Sequence, residues 1–142
     1  MGPYSQQAKL ATYRSVSAHG AVADADPHAL VLTVMDATLA RINAARTCIE
    51  RKETGRMASL LHSSVILIAE LRGSLNLQKG GPLAQNLSDL YEYMTRRLML
   101  ANLNSDPAPV VEVLSLLGEI RSAWVAIGPQ VRQAPGPVTS AA

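Results

Sequence analysis

The sequence predicts an all-α fold, an antiparallel up-down four-helix bundle. Three observations carry that reading. Apolar residues recur at alternating three- and four-residue steps in four separate stretches, the spacing of one helix face. The pair Asp-Pro occurs at 26–27 and again at 106–107, an N-cap followed by proline at the first helical position. The chain has no Phe and one Trp, so its core must be built from Leu, Ile, Val, Met and Ala. No stretch shows the strict alternation of a half-buried strand.

The first helix is expected from Asp26-Pro27 to about Lys52, with Val31, Val34, Thr38, Ile42, Ala45 and Ile49 on one face. Gly55 lies near the break that follows. The second runs from about Arg56 to Leu75, with Met57, Leu61, Ser64, Ile68, Leu71 and Leu75 aligned. Gly80-Gly81-Pro82 reads as a turn, one glycine taking a positive φ to end the second helix and Pro82 starting the third. The third continues to about Leu103 with a stripe of Leu83, Leu87, Leu90, Met94, Leu98 and Ala101. The fourth begins at Asp106-Pro107, carries Val110, Val113, Leu114, Leu117, Ile120, Trp124 and Ile127, and is expected to end at Gly128-Pro129. Helices of about 20 residues with short loops give an up-down bundle. Residues 1–25 read as a flexible segment with a short helical stretch, 26–128 as the bundle, and 129–142 as a disordered tail rich in Pro, Gly and Ala.

Composition narrows the function classes. A net charge of +2 with a pI near 8.9 does not by itself argue for nucleic acid. No run approaches the ~18 apolar residues of a membrane-spanning helix, and no secretory signal is read at the N-terminus. Cys48 is the only cysteine, which fits a reducing cytosol.

Catalytic chemistry finds no support. A phosphate-binding loop needs a lysine after its glycines, between a strand and a helix. Here Lys79 precedes Gly80, and its surroundings are helical. The Glu-x-x-His pairs of di-metal bundles do not occur, and His19, His28 and His62 are scattered. Neither a metal nor a cofactor is expected, and the chain reads as a binding protein rather than an enzyme.

Some apolar residues fall outside the stripes. With about 100° per residue, Ile66 lies roughly 200° from Ile68. Leu60 and Leu67 flank the second stripe, Tyr93 and Leu100 flank the third, and Met99 lies on its far side. These are either ordinary exposed hydrophobes or a second apolar surface for a partner segment. Asp36, within VMDAT, is either a satisfied polar group or a contact to an incoming backbone. Arg96 and Arg97 read as a solvated face pairing with Glu92, or as a contact to nucleic acid or an acidic partner.

The stretch LIAELRGSLNLQKGGPLAQNLSDLYEYMTRRLMLANLNSDP resembles the central signature of the flagellar export chaperones of the FliS family. That pattern runs ELRxSLD, then GG, A-x-NL, LYDYM, RRL, ANL and NDP. Upstream, DPHALVLTVMDATL is similar to the family's SPHELI-x-MLYDGAL, and YRSV to its YxxV. Downstream, LLGEIRSAW is similar to its LL…AW ending. The likeness covers roughly residues 10–128. Ala37, Met35 and Ile66 depart from the pattern, at positions of possible partner contact. The resemblance implies a cytosolic, non-enzymatic chaperone. It would bind the disordered C-terminal segment of flagellin in apolar grooves, block premature polymerisation and pass its cargo to the cytosolic domain of the export-gate protein FlhA. A chaperone or regulator for another flagellar export substrate is the alternative. Self-association is possible; nucleic acid and membrane insertion are not expected. The candidate partner contacts are Leu10 and Tyr13, which would cap the groove, with Asp36, Leu60, Ile66 and Leu67. On the third helix they are Asn86, Tyr93, Arg97, Leu100 and Asn102.

Overall fold

The computed structural model describes residues 26–133, four helices with no strand among them. Expectations for 1–25 and 134–142, including Leu10 and Tyr13, lie outside the described residues. Helix α1 spans Pro27–Glu50, α2 Thr54–Gly73, α3 Leu77–Asn104 and α4 Pro107–Gln133.

Both Asp-Pro signals work as the sequence predicts. Asp26 accepts from the Ala29 amide at 3.2 Å, and Asp106 accepts from the Ala108 amide at 3.0 Å. Each carboxylate thereby satisfies an amide that has no partner within its helix.

The remaining boundaries differ in instructive ways. Gly55 lies inside α2, and the left-handed position after α1 falls on Lys52 at φ 59°. The Glu53 amide then reaches back to the Cys48 carbonyl at 2.9 Å and closes the helix end. The second helix stops at Gly73, before the glycine pair, with the Ser74 hydroxyl donating to the Leu71 carbonyl at 2.8 Å. Asn76 caps a single turn by accepting from the Lys79 amide at 3.0 Å. Gly81, at φ 55° and ψ −139°, breaks that turn from the main run of α3, which Pro82 begins. So Gly81 does take the positive φ, but it separates two pieces of the third helix rather than the second from the third. A β-carbon on Gly80 would sit 2.5 Å from that of Ala84, so Gly80 permits close packing while Gly81 supplies the backbone angle.

Helix α4 runs through Pro129 to Gln133, so the predicted end at Gly128-Pro129 and a tail starting at 129 are corrected. Proline removes one amide and leaves the carbonyl four residues earlier without its usual donor. That carbonyl belongs to Val125, which is exposed, as is Pro129, and water can serve it there.

Helix α1 packs on α2 and α4, α3 packs on the same two, and the backbones of the diagonal pairs stay more than 8 Å apart. At the centre Met35, Ile42, Met57, Leu61, Ile68, Met94, Leu98 and Leu117 are at most 2% exposed. The predicted stripes fill or pack against this core, apart from Leu83, which is 64% exposed, and Ile127, which is half-buried outside the cluster. Buried hydroxyls are satisfied locally: Thr38 donates to the Val34 carbonyl at 2.7 Å and Ser64 to the Leu60 carbonyl at 2.8 Å. Burial pushes the Tyr91 hydroxyl up to about 12.

Candidate partner-binding surface

Polar braces tie the helices together around this core. Between α2 and α3, Arg72 donates to the Ser88 hydroxyl at 2.8 Å and to Glu92 at 3.1 Å, and Arg96 joins Glu92 at 2.9 Å. The pairing of Arg96 with Glu92 is the one the helical spacing predicts. Between α3 and α4, Glu112 takes two donors, the Tyr93 hydroxyl at 2.6 Å and Arg97 Nε at 2.7 Å. The Tyr93 hydrogen bond, followed by that of Arg97, lowers the Glu112 carboxyl below its ordinary value. The same hydrogen bond raises the Tyr93 phenol.

Between α1 and α4 there are two braces. Arg121 forms an ion pair with Asp36. One turn further along α4, the Trp124 ring stacks on His28 with centroids 4.8 Å apart and planes 8° from parallel. Trp124 Nε1 donates to the His28 carbonyl at 2.9 Å, while His28 Nε2 bonds to the Trp124 carbonyl. A carbonyl only accepts, so Nε2 carries the proton. His28 Nδ1 is buried without a hydrogen-bond partner among the described residues.

These placements sort the candidate contacts. Leu67 is 6% exposed and belongs to the core, so it is corrected from groove to packing residue. Leu60 is half-buried against that core. The Asp36 carboxylate braces α4 and remains half-exposed. Ile66 is half-buried, and Asn86 and Asn102 are exposed. Tyr93 and Arg97 are brought together by Glu112, a residue that the sequence reading did not single out. Further along α3, Met99 is 62% exposed, Leu100 42% and Leu103 79%, and Val111 of α4 is 49% exposed. Leu103 sat within the stretch read as the helix end, and its exposure had no signal in the periodicity.

Among the described residues no three His, Cys, Asp or Glu side chains gather to hold a metal ion, and no helix is long and apolar enough to cross a membrane. The surface thus combines a filled core with uncommitted apolar side chains and fixed polar brackets. That arrangement suits a binding surface.

Residues 9–131 match the family described as flagellar protein FliS. The chain belongs to the FliS family. Among curated FliS proteins, it is 39% identical over 112 residues to the flagellar secretion chaperone FliSB of Pseudomonas aeruginosa, covering 79% of this chain and 89% of that one. It is 36% identical over 122 residues to the flagellar secretion chaperone FliS of Salmonella typhimurium, covering 85% and 90% respectively. The flagellar secretion chaperone FliS of Bacillus subtilis is 31% identical over 100 residues, 70% of this chain and 74% of the relative. In this FliS chain, the His28–Trp124 clasp joins the two ends of the family pattern, DPH and AW.

Proposed function

We propose that this FliS chain is a cytosolic, non-enzymatic chaperone that holds the C-terminal segment of flagellin before export and delivers it to the cytosolic domain of FlhA. One observation carries the reading most directly. The core is closed, yet Met99, Leu100 and Leu103 of α3 and Val111 of α4 remain exposed, with Leu100 on the same side of α3 as Tyr93 and Arg97 of the Tyr93–Glu112–Arg97 bracket. Exposed apolar residues on a bundle that has no need of them for packing are what an unfolded apolar client requires. The bracket fixes side-chain positions beforehand, so less entropy is lost on binding. Ile66, Asn86 and Asn102 are accessible for further contacts along the client's path. Leu10 and Tyr13 would cover part of the groove in the free chaperone and leave when the client arrives.

Calorimetric titration with full-length and C-terminally truncated flagellin tests this. Full-length flagellin should bind with a negative heat-capacity change, the mark of apolar burial. The truncated form should not bind; equal binding by both would overturn the reading. Tight binding by a different late export substrate, with none by flagellin, would favour the alternative client. Hydrogen exchange over residues 5–16 should rise on client binding if Leu10 and Tyr13 form a cap.

A further inference from the structure

The pole where the α1–α2 and α3–α4 connections lie side by side carries a pocket that the flagellin reading does not use. Its volume is about 350 Å3, and it is lined by Cys48, Ile49, Lys52, Thr54, Met57 and Ser105. Met57 and Cys48, 1% and 5% exposed, make an apolar floor. Lys52, Thr54 and Ser105 are exposed and make a polar rim. The left-handed backbone at Lys52 and at Ser105, φ 59° and 49°, shapes that rim from two separate turns.

The rim is cationic. Lys52 lines the pocket, exposed Arg51 and Arg56 lie one and four residues from it in the chain, and Arg46 is one turn and a half earlier on α1, against Glu50 and Glu53. Among the described residues none of those four cations is held in an ion pair, whereas Arg72, Arg96, Arg97 and Arg121 all are. The start of α2 reinforces the sign. It has no acidic residue in its first turn, and Glu53 makes no side-chain capping bond. Arg56 adds like charge to a helix end that is already partially positive. That arrangement is locally unfavourable, and an anionic neighbour offsets it.

We propose that this pole is a second protein-docking site, which takes an acidic peptide segment of a partner. One aliphatic side chain of the segment seats on the Met57 and Cys48 floor. Its carboxylates meet Arg51, Lys52 and Arg56. The pocket volume lies at the small end of the range for ligand sites, room for a side chain and its flanking backbone but not for a whole helix face. A bilayer is disfavoured as the occupant because the apolar atoms are recessed beneath a charged rim. Interfacial anchors present theirs outermost. Nucleic acid is disfavoured because two carboxylates interrupt the cations and no aromatic ring lines the pocket for a base to stack on. The proposal stands whether or not flagellin is the client.

The test uses the full-length, isotope-labelled chain and the probe acetyl-Glu-Glu-Leu-Glu-Glu-amide, with the same peptide carrying Ala in place of Leu as control. Amide resonances of Ile49, Lys52, Thr54, Met57 and Ser105 should shift on titration, and the Ala peptide should bind several-fold more weakly. The double variant Lys52→Glu, Arg56→Glu should weaken the Leu peptide about tenfold, equivalent to ~1.4 kcal/mol. Both positions are exposed, so the variant should fold. Arg56→Glu alone should raise the melting temperature, because a first-turn carboxylate suits the helix dipole. The proposal fails if no resonance around the pocket shifts, if the Leu and Ala peptides bind equally, or if the double variant binds as tightly as the parent. It also fails if phosphatidylglycerol vesicles bind the chain through these residues while the peptide does not.

Discussion

The adjacent glycines of α3 should be indispensable for separate reasons, and a double-mutant cycle can separate them. A β-carbon on Gly80 would sit 2.5 Å from the Ala84 β-carbon, against an ordinary carbon contact of ~3.5–4.0 Å. Both atoms are rigidly attached to backbone, so relief requires the turn itself to move. Overpacking of this kind costs ~1–3 kcal/mol, offset by ~0.4–1 kcal/mol from the less flexible unfolded chain. Gly80→Ala should therefore lose about 1–2 kcal/mol. Ala84→Gly removes the colliding atom. It costs about 1 kcal/mol in helix propensity and ~0.8 kcal/mol in buried methyl, since Ala84 is 5% exposed. In the double variant the collision is gone, so the two losses should fall short of additivity by ~1–2 kcal/mol. Gly81→Ala meets nothing within 4 Å, and its cost of ~1–3 kcal/mol comes from the backbone angle alone. Combined with Ala84→Gly, it should be additive within ~0.5 kcal/mol. Urea unfolding followed by far-ultraviolet circular dichroism reads all of these. Additive behaviour of Gly80→Ala with Ala84→Gly would refute the close-packing argument. Rescue of Gly81→Ala by Ala84→Gly would refute the backbone one.

Leu98→Ala, at a position 0% exposed, should lose ~2–5 kcal/mol in urea unfolding, whereas Leu100→Glu should stay within ~0.5 kcal/mol yet weaken flagellin binding by calorimetry. Glu112 has a lowered carboxyl in the folded state, so its contribution is present above the ordinary carboxylate value of ~4.3 and is lost as pH falls through the folded value. Glu112→Gln should accordingly flatten the acid side of a plot of melting temperature against pH. Trp124→Phe keeps the ring stack but removes the bond from Nε1 to the His28 carbonyl, and should cost about 1–2 kcal/mol in the same urea assay.

The residue pattern displayed the helices well where the signal is local. Asp26-Pro27 and Asp106-Pro107 are complete within four residues, because a cap bonds to an amide two or three positions on. The buried stripes were legible because one helix has one period. The turn at the glycine pair was harder to read. Proline and glycine announce a break without saying which neighbouring turn is helical, and Asn76 added a turn before it. Leu83 carries the right phase for the core, but it stands at the end of its helix, where flanking helices no longer cover it. Of the candidate surface, Tyr93 and Leu100 were legible as departures from the stripe. Glu112 was not, because its bonds to Tyr93 and Arg97 join residues 19 and 15 positions apart. Leu67 was misassigned because a flank in projection becomes core once a third helix packs beside it.

The clasp of His28 and Trp124 fixes a polarity on the molecule as a whole. It brings the start of α1 and the late part of α4 to one pole, while the α1–α2 and α3–α4 connections lie together at the other. Surface cysteines placed beside the clasp on α1 and α4 would therefore be close enough to cross-link to each other, and labels in the two connections would report from the opposite end of the same bundle.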